Sequence, residues 1–374
     1  MIIYLAMICA SSIMFFLSDK TSGILRKICG GIGILIPSII AGMRSMATGT
    51  DIRVYALPMF KDAATSWSNM YSSWVVKMDQ PIGYTFFAWL FGNLFSSISI
   101  FLFVSELLVV LPLYCVLRKE ESKVFWGMLC YQAFLYPYSL NWMKQCIAVS
   151  MIAYAYSYCK NNDFLRFFII VFIAYLFHQT AILFVVIFFL YKFCVPEDYR
   201  EKSDLFWIKM YAATFLAFLI VFLFSSRILL FVSKLKGSYG YILAHSDSGT
   251  FLMQPLIATM FMCCIYVCTY NFNNRYELCD VNVVKDKNET LFLLYLTIVG
   301  FLGQELSMLG DGINRISIYL VVFSTLFLTH VFNKAKKNIL LYIFELITIV
   351  YLFSYFVHFI SSGYGEIYPY QFMD

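Results

Sequence analysis

The sequence predicts an all-α fold: a polytopic membrane bundle of about 12 transmembrane helices, forming a single integral membrane domain over residues 1–374. Three observations carry this. Hydrophobic residues make up 61% of the 374 and aromatics 20%, while charged residues reach only 13%, against about a quarter in a soluble protein. Uncharged runs recur along the whole chain, from Met1–Leu17 to Ile339–Val357, and roughly 20 apolar residues suffice to cross the hydrocarbon. No long polar stretch separates the runs, so no soluble module is attached. Each crossing is a helix, because lipid offers no other way to satisfy the backbone.

In order along the chain, Met1–Leu17 lacks the basic start and small-residue cleavage site of a signal peptide and is read as the first span. Gly30-Gly31-Ile32-Gly33 opens the second span, where small residues let helices approach closely. Six short loops then carry most of the 27 Lys and Arg. They are Lys20/Arg26/Lys27, Arg118/Lys119/Lys123, Lys160/Arg166, Lys192/Arg200/Lys202/Lys209, Arg275/Lys285/Lys287 and Lys334/Lys336/Lys337. The positive-inside bias places these loops in the cytoplasm. Parity does the rest: both termini and the longer loops 44–80 and 225–250 fall outside. Tyr138–Gln145 becomes an outer turn between spans 124–139 and 145–159, and His178 becomes the outer turn of a helical hairpin. Asp311–Arg315 lies outside between spans 290–309 and 315–332. Pro81–Leu117 is about 55 Å long as one helix, too long for one crossing. It divides into a re-entrant or interfacial helix near 83–95 and a span over 98–117.

The net charge of +5 is spent on orientation, which argues against a nucleic-acid partner. The chain has neither a Walker loop nor a Gly-rich dinucleotide turn, and its cytoplasmic loops are too short to hold a nucleotide-binding domain. No cofactor is expected. None of the 11 cysteines lies in the long outer loops, so no disulfide framework is expected there. Cys263, Cys264 and Cys268 have no His or carboxylate beside them, which favours helix packing over a metal site.

Polar residues of distant segments are expected to meet at the outer face. Arg44, Gly49, Asp51, Arg53 and Tyr55 follow the second span. Gln80-Pro81-Ile82-Gly83-Tyr84 opens the interfacial helix. Asn141, Trp142, Lys144 and Gln145 form one outer turn, and Phe177-His178-Gln179-Thr180-Ala181 another. Asp311, Arg315 and Tyr319 form a third, and the tail ends in Tyr368-Pro369-Tyr370. Outer Arg and Lys run against the orienting bias, and a pyrophosphate accounts for them, since Arg offers bidentate donors and Lys a point charge. Bland readings stand beside this one. Arg44 also fits a snorkelling role, Asp311 and Arg315 fit a helix-start pair, and His178 fits a polar turn. The aromatics fit an interfacial belt. Glu106 and Glu305 lie inside spans, where carboxylates are functional candidates, and Glu305 is the nearer to the outer face.

These segments, in this order, resemble the EpsG-like family of bacterial polysaccharide polymerases, related in role to Wzy-type O-antigen and capsule polymerases. The pattern reads here as Arg44 with Gly49/Asp51/Tyr55, then Gln80-Pro81-Ile82-Gly83-Tyr84, Asn141/Lys144/Gln145, Phe177-His178-Gln179-Thr180-Ala181 and Arg315-Ile316-Ser317-Ile318-Tyr319. Gln80 stands where an acid is common, Lys144 replaces an Arg, Thr180 a Ser and Ile52 a Tyr. The resemblance implies metal-independent glycosyl transfer between undecaprenyl diphosphate-linked glycans, at the outer face of the bacterial cytoplasmic membrane. Arg44, Arg53, Lys144 and Arg315 would hold the diphosphate. Asp51, His178 or Glu305 would act as base. Tyr55, Tyr84, Asn141, Gln145 and Tyr319 would contact sugar. Membrane lipid, a chain-length regulator and a flippase are the partners this role implies. A flippase or transporter, an O-antigen ligase and a membrane O-acyltransferase are the rival readings.

Overall fold

The computed structural model describes residues 1–95, 97–121, 123–196, 202–224, 227, 253–271, 281–335 and 337–373. The all-α expectation holds: among the described residues the regular structure is helical, apart from one isolated antiparallel bridge between Arg44 and Phe372. Among the described residues, six helices are long and apolar enough to cross a bilayer, namely Ile2–Lys20, Gly23–Gly42, Ile98–Glu120, Asp204–Leu223, Gly312–Lys334 and Ile339–Ser361. Phe164–Phe177, Gln179–Cys194 and Gln254–Thr269 are apolar but shorter. Where about 12 uniform crossings are expected, the described residues thus show full spans mixed with shorter pieces. The 124–139 run shows why. It breaks at Leu135, and Pro137, with no N–H to donate, sits in the short helix that follows.

The chain forms two compact units, residues 1–189 with 342–374, and residues 190–341. In the first, α1 (Ile2–Lys20) packs on α2 (Gly23–Gly42) and α2 on α6 (Ile98–Glu120). α6 in turn packs on α9 (Met143–Tyr156), and α9 on α10 (Phe164–Phe177). The small residues of α2 serve this packing: a Cβ on Gly33 would sit 2.7 Å from the Phe15 ring, and one on Gly30 would strike the Tyr114 hydroxyl. At one end of these helices the basic loops meet. Arg118 pairs with Asp19 at 2.9 Å and Lys160 with Glu120 at 2.7 Å. The Asp19 carboxylate also accepts from the Val124 and Phe125 N–H groups, capping α7 (Phe125–Phe134).

At the opposite end lie the segments predicted to face out. Residues 44–80, expected as a loop, fold into helical pieces: a π-turn over Ile52–Ala56, α3 (Leu57–Asp62), α4 (Trp67–Met70) and a second π-turn over Tyr71–Lys77. They lie on α5 (Ile82–Leu94), within one residue of the predicted interfacial helix. Trp74 Nε1 donates to Asp62 Oδ2 at 3.0 Å, and Asn93 Nδ2 to the Ala63 carbonyl at 2.7 Å. α5 has 13 residues, about 20 Å of rise, too short to cross a bilayer. α8 (Tyr136–Ser139) leads into the turn before α9, and the 3₁₀ turn Gln179–Val185 leads from α10 into α11 (Val186–Cys194).

The second unit holds α12 (Asp204–Leu223), α13 (Met253–Ile265), α14 (Val281–Glu305), α15 (Asp311–Val321) and α16 (Phe323–Lys334). α14 packs on α13, α15 and α16. Asp286 ties α14 to α16, reaching His330 at 3.2 Å and Lys334 at 3.1 Å. The predicted span 315–332 begins four residues early, at Asp311, and divides at Val322. The last helix, α17 (Ile339–Ser361), returns the chain to the first unit. Apart from Arg227, the expected outer loop 225–250 lies outside the described residues, as does Arg275.

Candidate functional site

Arg44 follows α2 directly. The C-terminal tail clamps its backbone: the Ser45 N–H donates to the Gln371 carbonyl at 2.7 Å and the Met373 N–H to Met43 at 2.9 Å. This pins the side chain inward, where it is 1% exposed. Among the described residues its guanidinium makes one hydrogen bond, from Nη2 to Met143 Sδ at 3.4 Å, while Nε and Nη1 have no acceptor. A thioether is a weak acceptor. Burial pushes the guanidinium pKa below its usual value, and Tyr136, Tyr4, Glu106 and Tyr370 pull it back. Arg does not neutralise itself in a protein. The result is a buried cation with Tyr4, Tyr136 and Tyr370 in electrostatic range, and among the described residues no carboxylate lies within ion-pair distance of it. Tyr370, pushed up to about 12 by burial against the lowering pull of Arg44, donates to the Ile40 carbonyl at 2.8 Å. Snorkelling is ruled out for Arg44, whose head is the buried part.

The next residues of the motif build the wall of this site. Gly49 adopts φ +107°, a conformation that L side chains rarely take, and a Cβ there would lie 3.1 Å from the Leu140 carbonyl. Its N–H donates to the Glu366 carbonyl at 3.0 Å. Asn141 Oδ1 accepts from the Thr50 hydroxyl at 2.8 Å and the Asp51 N–H at 3.0 Å. Asn141 therefore holds the 49–51 loop, its carbonyl oxygen engaged by the Thr50 hydroxyl and the Asp51 N–H. Lys144 donates to Gln80 Oε1 at 2.6 Å and stands 4.2 Å over the Tyr55 ring. Arg53 pairs with Glu366, both side chains about half exposed.

The structure brings together the segments around Thr50, Gln80, Asn141 and Lys144, and burial redistributes several roles. Tyr84 is 1% exposed, its ring packed on Phe87 and Phe101 at 6.3 and 5.8 Å. With no free face, it is a packing residue rather than a sugar platform. Gln145 is buried at 1%. His178 ends α10 half-buried, its Nδ1 2.8 Å from the Thr180 hydroxyl. Gly83 brings α5 against this turn, because a Cβ there would meet the Leu176 carbonyl at 2.7 Å. Trp142 is buried between Tyr138 and Tyr364, with centroids at 4.8 and 5.8 Å. Tyr4, Tyr136 and Glu366 went unread as site residues. Tyr4 and Tyr136 sit in apolar runs that look like any span, and only the fold reveals what they surround.

Glu305, Arg315 and Tyr319 belong to the second unit. Glu305 is 2% exposed, and its Oε1 accepts from the Leu256 N–H at 3.0 Å in the first turn of α13. That is a helix-capping contact, while the other carboxylate oxygen, Oε2, is buried with no hydrogen-bond partner among the described residues. Arg315 is half-buried on α15. Tyr319 is fully buried, so its ring offers no face to a sugar.

No curated protein and no solved structure matches this chain. The EpsG family model matches residues 27–372, from the second turn of α2 to the tail that clamps Arg44. The chain therefore belongs to the EpsG family.

Proposed function

We propose that this integral membrane protein is a polysaccharide polymerase. It joins undecaprenyl diphosphate-linked oligosaccharide repeat units at the outer face of the bacterial cytoplasmic membrane. The observation that carries the reading is the buried Arg44, with two guanidinium nitrogens lacking acceptors. A buried unpaired charge costs several kcal/mol per ion, and a diphosphate is the partner that would relieve it. Family membership supports a polymerase-like role, and the positive-inside bias supports the outward orientation.

In this reading Arg44 binds the donor's diphosphate, with Lys144 on the neighbouring turn and Arg53 at the rim adding charge. A hydroxyl of the acceptor glycan attacks the anomeric carbon of the donor. The C–O bond to the diphosphate breaks, and the departing oxygen's charge is held by these cations. Asp51 or His178 takes the proton from the acceptor hydroxyl. Tyr55 supplies the sugar-facing ring, since Tyr84 and Tyr319 are enclosed. Arg315 retains the diphosphate role that the family pattern implies.

The test is elongation of a defined lipid-linked repeat by the purified full-length protein. Wild type is expected to build long chains, while Arg44→Ala and Arg315→Ala each stop at single units. Chains of normal length from both variants would refute the diphosphate role. In cells, deletion is expected to leave single repeat units on the outer leaflet; units trapped inside would point to transport instead.

A further inference from the structure

Gln80 lies just before α5, 8% exposed, with both ends of its amide engaged. Oε1 accepts from Lys144 Nζ, in the first turn of α9, at 2.6 Å. Nε2 donates to the Met78 carbonyl at 3.0 Å. The backbone is held as well: the Gln80 N–H donates to the Trp74 carbonyl of the second π-turn at 2.8 Å. An ammonium can only donate and a carbonyl can only accept. One orientation of the amide therefore meets both contacts, and the Met78 bond keeps the oxygen turned toward Lys144.

The consequence falls on the lysine. Its long stem has rotamer freedom that binding an anion would otherwise have to remove. Here the ammonium is already placed, 2.6 Å from Gln80 Oε1 and 4.2 Å over the Tyr55 ring. The holder is also neutral, so it adds no negative charge to the turn. A carboxylate in its place would form a charge-assisted bond and compete with phosphate for the same ammonium. We infer that Gln80 is a positioning residue of the anion site, presenting the Lys144 ammonium to a diphosphate, a role that rests on the reading of Lys144 as a diphosphate ligand.

Gln80 also secures the entry to α5, and a double-mutant cycle separates the two roles. Inorganic pyrophosphate is titrated against the full-length protein in detergent, with affinity read from the shift in unfolding temperature. The midpoint without pyrophosphate shows that each variant is folded. Gln80→Met keeps the length and removes the acceptor. It is expected to weaken binding about fivefold, the cost of ordering one free side chain. In a Lys144→Met background the same change is expected to alter affinity less than about twofold, because the group it positions is gone. Gln80→Glu, closest in shape, weakens binding at least as much as Gln80→Met, since its carboxylate holds the ammonium for itself. An equal loss from Gln80→Met with and without Lys144 overturns the inference, as does Gln80→Met or Gln80→Glu binding like wild type. If Lys144→Met alone binds like wild type, the diphosphate reading of Lys144 fails instead, so the two failures are distinguishable.

Discussion

At the scale of single residues, Arg44 shows how burial changes the meaning of a charge. A surface arginine near a membrane is unremarkable, whereas one that is 1% exposed, with Nε and Nη1 lacking acceptors, is a candidate site. The prediction belongs to this one side chain. Arg44→Ala should lower the elongation rate on the order of 10²–10³-fold, as expected when a stabilising donor is lost. Arg44→Lys should recover part of that, because it keeps the charge and loses the fork. Equal rates for the two variants would mean that shape rather than charge was lost. Arg44 was legible in the sequence from its place after the second span. Its partners were not: Tyr4 is 363 residues from the Ile367 carbonyl it binds, and no local pattern announces such a pairing. Glu305 shows the two halves of one carboxylate: its Oε1 caps a helix, and its Oε2 is buried with no partner among the described residues.

Between residues and the whole chain stand the elements, and here hydrophobic runs were a good guide to existence and a poor one to continuity. α5 was found within a residue because parity forbade a second crossing there. The run 124–139 was read as one helix, since apolarity does not report the break at Leu135 or the turn that brings Asn141 to Thr50. Segment 44–80 was read as a loop because its polar residues hide short helices whose order comes from contacts with α5. The close approach of α5 to α10 gives a test at this scale. Gly83→Ala drives a methyl into the Leu176 backbone and should cost about 1–3 kcal/mol, the usual price of overpacking. A thermal melt in detergent would show it as a lowered midpoint, and an unchanged midpoint would mean that α5 is not seated there.

For the molecule as a whole, the C-terminal tail matters most. It closes over Arg44 through the Phe372 bridge and meets the 49–51 loop through Glu366. Truncation after Ser362 should therefore abolish elongation and open a new tryptic site at Arg44. A truncated protein resistant at Arg44 would show that the tail is not its cover. Orientation is tested on the same scale: Glu366→Cys should react with an impermeant maleimide applied to intact cells, and Lys123→Cys should not. The reverse pattern would invert the topology and place the site in the cytoplasm.

Composition and the spacing of basic loops by themselves determined that this is a helical membrane protein, which segments share an end of its helices and where a cation waits. Those properties depend on summed hydrophobicity and charge, quantities that any stretch of sequence displays. The tertiary structure alone decided which side chains are enclosed, that Asn141 serves the loop and Glu305 Oε1 a helix start, and that Arg44 is buried against Met143 beneath the C-terminal tail. Those outcomes depend on contacts between residues up to hundreds of positions apart, and burial arises only once the chain has folded back upon itself.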